Sequence, residues 1–167
     1  MQVTKVGLHG IQMRIKIITI GTKMPSWVKA ACNEYLKRIP NELNVDIIEL
    51  PMKQRSKKIN ISMALLQEGE AMMKTIGAND KVIALDLRGR NWKTEELAKK
   101  IEGWKQSGDD FSLLIGGPDG ISENCIERAD ILWSLSSLTF PHPLVRVLLI
   151  EQIYRASTIN NGHPYHR

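Results

Sequence analysis

From position 14 onward, short runs of β-branched and aliphatic residues alternate with longer stretches whose apolar residues recur every three or four positions. That is the pattern of an α/β domain. Residues 14–20 read as a first strand, and Gly21-Thr22-Lys23-Met24-Pro25-Ser26 turns it into a helix with Trp27, Ala30, Ala31, Tyr35 and Leu36 at helical spacing. Residues 44–50 give a second strand. Residues 59–76 read as a long helix carrying Ile61, Leu65, Leu66, Met72 and Ile76, with Gly77 as its terminator. Residues 81–86 form a third strand, almost wholly apolar, as expected of a strand covered on both faces. Thr94 is suited to cap a helix over 95–106, with Glu95 and Glu96 in its first turn. Phe111–Ile115 is a fourth strand, Ser122 opens a short helix, 131–135 is a fifth strand, and 143–158 is a final helix with Leu144, Val147, Leu148, Glu151 and Tyr154 on adjoining faces.

The expected fold is therefore α/β, a mainly parallel sheet flanked by helices. Residues 1–12 fit no element, so the expected organisation is an N-terminal extension over 1–12 and a single domain over 13–167. A chain of 167 residues can bury a substantial core without disulfides or a structural metal. No apolar stretch approaches the roughly 20 residues that span a bilayer, and the N-terminus has no secretory signal pattern, so a cytoplasmic protein is expected. Cys32 and Cys125 lie far apart with no paired histidines nearby, which suits incidental or structural thiols.

The net charge of +5 is concentrated: Lys53, Arg55, Lys57 and Lys58 fall in six residues, and Arg88, Arg90 and Lys93 in another six. Both segments look turn-like. Solvated loops explain them, and so does contact with nucleic acid.

Signals for common chemistries are absent. The first strand ends in Gly21-Thr22-Lys23-Met24-Pro25 rather than G-x-G-x-x-G, and the chain has no Walker motif, no H-E-x-x-H and no G-x-S-x-G. What remains is clustered late: Leu85-Asp86 at a strand end, the loop Ile115-Gly116-Gly117-Pro118-Asp119-Gly120, and the stretch from Leu135 to Pro143. Glycine lets backbone approach a ligand, proline fixes the exit of the chain, and open α/β sheets bind ligands at the carboxyl ends of their strands. Each loop also has a plain reading as a turn, and Leu85, Leu135, Leu138 and Phe140 can equally be core residues.

The segments Leu114-Ile115-Gly116-Gly117-Pro118-Asp119-Gly120, Trp133-Ser134-Leu135-Ser136-Ser137-Leu138-Thr139-Phe140-Pro141-His142-Pro143-Leu144-Val145-Arg146 and Asn161-Gly162-His163-Pro164-Tyr165-His166-Arg167 closely resemble the bacterial ribosomal RNA large subunit methyltransferases of the SPOUT class. The resemblance runs over 13–167. It implies a C-terminal trefoil knot, a homodimer, S-adenosylmethionine as methyl donor, no metal, and 23S ribosomal RNA of the assembled ribosome as partner, with N3 of a pseudouridine in helix 69 as acceptor. Carried onto this chain, it implies cofactor contacts at Leu85, Gly116, Gly117, Leu135, Ser136, Ser137, Leu138, Thr139 and Phe140. Flat, apolar adenine with a polar edge suits aliphatic side chains beside unpaired backbone groups.

Methylation of an imide nitrogen also requires loss of its proton. His163, Tyr165 and His166 are candidates for assisting that loss, and Arg167 for holding phosphate or offsetting the imide anion. Packing of this tail against a neighbouring subunit is the competing reading. His142, between two prolines, reads as structural, whereas Arg146, Arg155 and the two basic segments are candidates for phosphate contact. Two alternatives stay open: an RNA-binding module on the same fold without transfer activity, and a methyltransferase of a different RNA.

Overall fold

The computed structural model of the chain describes residues 12–56 and 60–167. The expected extension falls almost wholly on residues outside this set, as do Lys57 and Lys58. Met13, the first residue of the expected domain, is fully buried.

The order along the chain is β1 (Ile15–Ile20), α1 (Ser26–Leu36), β2 (Val45–Leu50), α2 (Ile61–Thr75), β3 (Lys81–Asn91), α3 (Thr94–Ser107), β4 (Phe111–Ile115), α4 (Glu123–Arg128), β5 (Ile131–Ser134) and α5 (His142–Asn160), with 3-10 turns at Asn41–Leu43 and Pro164–His166. The five strands form one sheet in the order β2-β1-β4-β3-β5, and every pairing is parallel. All strands therefore end on the same edge. Alternation along them splits the core in two: Ile15 and Ile17 of β1, Leu113 of β4 and Ile83 of β3 pack on the side of α1, α3 and α5. Ile18, Ile20, Leu114, Val82 and Ala84 pack on the side of α2 and α4. Fully burying one such side chain contributes roughly 1.5–3 kcal/mol, which is why both faces must be covered.

The N-terminal edge of the sheet is stitched by three aspartates, each standing one residue before a strand. Asp80 Oδ2 accepts from Ser112 Oγ at 2.6 Å and the Gly77 N–H at 3.1 Å, and pairs with Lys16 Nζ at 2.8 Å. Asp110 Oδ1 accepts the Arg14 N–H at 2.9 Å, and Asp130 Oδ2 accepts the Val82 N–H at 2.8 Å. Asp110 and Asp130 thereby take N–H groups at the strand starts that would otherwise need another acceptor.

Four local expectations need correction. β3 runs on through Arg88 and Arg90 instead of ending at Asp86, so that basic segment is strand and not turn. Its register slips, with Leu85 and Arg90 both opposite Trp133, and the intervening residues bulge outward. A Cβ at Gly89 would lie 2.5 Å from the Trp133 backbone nitrogen, so only glycine fits where the bulge closes. The cap of α3 is Lys93, whose N–H donates to Glu96 Oε2 at 3.0 Å; Thr94 is already helical, and its hydroxyl donates to Gln152 Oε1 at 2.9 Å. α2 begins at Ile61 with Asn60 as its cap, accepting the Met63 N–H at 2.8 Å. On α1 the buried residues are Val28 and Cys32, while Trp27 is 54% exposed.

Candidate functional site

β4 delivers the chain into a tight turn. The Gly120 N–H donates to the Gly117 carbonyl at 3.0 Å, which places Pro118 and Asp119 at the apex. Gly120 has φ of 92°, and a Cβ at Gly116 would lie 2.3 Å from the Gly120 carbonyl oxygen, so backbone packs on backbone at the strand end. A Cβ at Gly117 would meet Ile20 at 3.2 Å and come within 4.0 Å of Glu68 Oε2.

β5 leads into a second loop shaped by its serines. Ser134 Oγ donates to the Ser136 carbonyl at 2.8 Å, and Ser136 Oγ accepts the Leu138 N–H at 3.0 Å. Asn91 Nδ2 donates to the Ser134 carbonyl at 3.0 Å, tying this loop to the end of β3. The bulge of β3 supplies the third wall. There Asp86 Oδ1 accepts both the Arg88 N–H at 2.8 Å and Arg88 Nε at 2.9 Å. Those bonds to Arg88 hold the Asp86 carboxyl below the usual carboxylate range.

The three loops enclose a cavity of about 830 Å³. Leu85, Gly116, Gly117, Leu135, Ser136, Leu138, Thr139 and Phe140 all line it. Ser137 sits outside that lining, its hydroxyl 3.4 Å from Asn91 Oδ1. Leu85 and Leu135 also pack on the core, whereas Leu138 is 68% exposed and has no core role. Asp86, Leu87, Trp133, His142 and Val145 line the same space; the sequence marked Asp86 only as a strand end and His142 as structural, and assigned none of the five as a contact. Position toward the carboxyl end of a strand was the available signal for Asp86 and Trp133; the β3 bulge that presents Leu87 had none. Burial, followed by the charge of Arg146, pushes the His142 imidazole below its ordinary value, so it is neutral at pH 7.

Arg146 is not a phosphate contact. It is 2% exposed, and its guanidinium pairs with Glu49 at 2.6 Å and donates from Nη2 to the carbonyls of Ile20 at 3.0 Å and Gly21 at 2.6 Å. It thus ties the first turns of α5, which line the cavity, to the ends of β1 and β2. Four of the other candidate arginines are ion-paired too. Arg155 pairs with Glu151, Arg88 with Asp86 and Glu123, Arg90 with Glu96, and Arg55 with Glu68 and Asp119.

The tail is elsewhere. α5 starts at the cavity and runs 19 residues, which is about 28 Å at helical rise. His163, Tyr165, His166 and Arg167 follow its far end, and none of them lines the cavity of the same chain. Tyr165 folds back onto α5: its hydroxyl donates to Glu151 Oε1 at 3.2 Å, its ring packs tilted against Tyr154 with centroids 4.6 Å apart, and Arg155 lies 4.8 Å over it. Burial, the Tyr35 hydroxyl and the Glu151 charge raise the Tyr165 phenol well above its usual value, so it stays protonated. His163 Nδ1 accepts the Tyr165 N–H at 3.2 Å, while His166 Nδ1 is buried without a partner. Cys32 and Cys125 are buried, unpaired thiols. Among the described residues no group of three or more His, Cys, Asp or Glu is placed to hold a metal, and no helix is long and apolar enough to cross a membrane.

Comparison with known proteins agrees with this architecture. The chain is 52% identical over 155 residues to the ribosomal RNA large subunit methyltransferase H of Hahella chejuensis, covering 93% of this chain and 99% of the relative. It is 51% identical to the protein of that name from Saccharophagus degradans, over 93% of this chain and all of the relative. Among solved structures it is similar to a methyltransferase from Bordetella pertussis (TM-score 0.56, 12% identity, 87% of this chain and 95% of that one). A methylase family protein from Neisseria gonorrhoeae gives a TM-score of 0.53 at 14% identity over 90% of this chain and 85% of that one. These two show the fold alone. The family model described as "Predicted SPOUT methyltransferase" matches residues 13–166. On that match and the identity to its relatives, the chain belongs to the SPOUT methyltransferase family.

Proposed function

We propose that this protein uses S-adenosylmethionine to methylate N3 of a pseudouridine in helix 69 of 23S ribosomal RNA, on the assembled ribosome in the cytoplasm. The observation that carries this reading is the convergence of the 116–120 and 135–140 loops on one cavity in a chain half identical, over nearly its whole length, to enzymes named for large-subunit ribosomal RNA methylation.

The cavity fits the donor. At about 830 Å³ it lies within the roughly 300–1,000 Å³ of small-molecule sites. Aliphatic Leu85 and Leu135 with the Phe140 ring suit the adenine, and the space a Cβ at Gly116 would take is kept for backbone. When bound, the donor supplies an electrophilic methyl on a sulfonium sulfur, which needs no metal. The chain's own contribution is to orient that group against the acceptor and exclude water, where positioning alone can lower the barrier by several kcal/mol.

The fold is a single domain over 13–167 with a C-terminal trefoil knot, an exception to the rule that chains do not thread their own loops. Support comes from the path after β5: the chain leaves one edge of the sheet, passes the 116–120 turn in lining the cavity, and brings Arg146 against β1 and β2 at the other edge.

The active unit is a homodimer. Leu144, Val147 and Leu148 on α5 remain only half-buried in one chain, and a tail about 28 Å of helix away from its own cavity can serve the cavity of a partner. In that arrangement His163 or His166 takes the imide proton, Arg167 offsets the charge that develops, and Tyr165, held protonated, orients the tail.

Mass spectrometry of helix 69 from ribosomes of a strain lacking the protein is the decisive test. The expected result is loss of one methyl group, restored by the purified enzyme on unmethylated ribosomes; unchanged methylation would overturn the assigned substrate. Deleting 163–167 is expected to spare most donor binding in calorimetry while abolishing transfer, and full activity of the truncated protein would show that the tail only packs. Calorimetry on the intact protein separates the enzyme from an RNA-binding module, which would not bind the donor.

A further inference from the structure

One guanidinium joins three segments that are far apart in sequence. Arg55, in the loop after β2, places Nη1 2.6 Å from Glu68 Oε1 in the middle of α2, and places Nε at 2.9 Å and Nη2 at 2.8 Å from Asp119 Oδ2 at the apex of the 116–120 turn. Nη1 also donates to the Lys53 carbonyl. The anchor is Glu68, whose side chain is 3% exposed and whose Oε1 accepts the Lys53 N–H at 2.9 Å as well. Asp119 lines the cavity. The turn is closed by a hydrogen bond from the Gly120 N–H to the Gly117 carbonyl, and its three glycines bring no side chains to pack beneath the apex. An apex so built is held by what grips it from outside.

We propose that Arg55 is a positioning residue for the methyl donor: braced on buried Glu68, it fixes Asp119 and so sets the turn that forms one wall of the cavity. The proposal rests on the reading of that cavity as the donor site. It also reassigns the cation. Arg55 faces two carboxylates, both already engaged, so its charge is spent inside the protein and not on an RNA phosphate. The planar fork matters because Nε and Nη2 converge on Asp119 Oδ2 while Nη1, with a longer 3.3 Å contact from Nη2, engages the two oxygens of Glu68, a bridging geometry that a lysine ammonium cannot reproduce.

The test is calorimetry of S-adenosylmethionine with the full-length protein and the variants Arg55→Lys, Asp119→Ala and both together, with thermal melts alongside. Arg55→Lys keeps a cation beside Glu68, and Asp119→Ala leaves the Arg55–Glu68 pair intact, so both are expected to fold. Each single variant should weaken donor binding about tenfold, and the double variant should bind no worse than the weaker single, because both cut the same link. Should Arg55→Lys melt early, Arg55→Gln with Glu68→Gln leaves no buried charge unpaired and should show the same loss.

Wild-type donor affinity in Arg55→Lys overturns the proposal, including the case in which Asp119→Ala alone is weakened, since that would make Asp119 a direct contact. Unchanged donor affinity with a raised, salt-dependent KM for ribosomes would place Arg55 on RNA and overturn it equally. Failure of the wild-type protein to bind the donor would instead sink the reading of the cavity.

Discussion

The two edges of the parallel sheet solve opposite problems with opposite charges. Where the strands begin, N–H and side-chain donors need acceptors: Asp110 and Asp130 take the N–H groups of Arg14 and Val82, and Asp80 takes the Gly77 N–H of its own loop together with Ser112 of β4 and Lys16 of β1. Where the strands end, carbonyls need donors, and Arg146 supplies Nη2 to Ile20 and Gly21. The first edge closes on itself. The second keeps its loops apart around a cavity, with glycine turns and arginine braces in place of packed side chains. Stability and ligand binding are thereby assigned to different ends of the same strands, and substitutions at the two ends should separate them.

The sharpest break is Asp80→Ala. It strips Lys16, 15% exposed at the side chain, of its partner and Ser112 of its acceptor, and breaking a buried pair costs about 3 kcal/mol. Urea unfolding should show that loss while calorimetry shows unchanged donor affinity; a weakened donor site would mean the edges are not independent. Gly116→Ala should do the reverse. Its Cβ meets the Gly120 carbonyl, so the turn must move, with a stability loss of about 1–2 kcal/mol and donor binding weakened at least about tenfold.

Acid should erode the first edge through Asp80. Burial opposes the Asp80 charge, but Lys16, Ser112 and the Gly77 N–H outweigh it and hold the carboxyl below its ordinary value of 3.8. Its stabilisation is complete above the unfolded value of about 4 and is lost as pH falls through the lower folded value. Asp80→Asn should flatten that part of the stability profile, and an unchanged profile would remove Asp80 from the account. The smallest effect belongs to Asp130→Asn, which keeps an acceptor for the Val82 N–H and should cost about 0.5 kcal/mol by the same unfolding assay.

The strands were legible because isoleucine, valine and leucine runs declare buried strands directly, and the 116–120 and 135–140 loops were legible because they follow such runs. Failures came where context overrode type. Arg88 and Arg90 look like loop, yet they continue β3 with their charges met by Asp86, Glu123 and Glu96. Arg146 looks like a surface cation on a helix, and what buries it is a pair of carbonyls and Glu49, which lie 97 to 126 positions away. On α1, Trp27 was the conspicuous apolar residue, but the small side chains Val28 and Cys32 face inward. The tail could not be placed from its motif, because its position depends on the length of α5 and on where Tyr165 folds back.

The aromatic residues beside the cavity have an optical consequence. Trp133, on the cavity wall, stacks 4.6 Å from Trp92, which lies 6.4 Å from Trp104, which in turn stacks 4.4 Å from Phe111. Three of the four tryptophans thus form one coupled chromophore that ends at the cavity, and only Trp27 stands apart in solvent. Near-ultraviolet circular dichroism and emission quenching on the native chain would therefore report filling of the cavity, with no introduced dye.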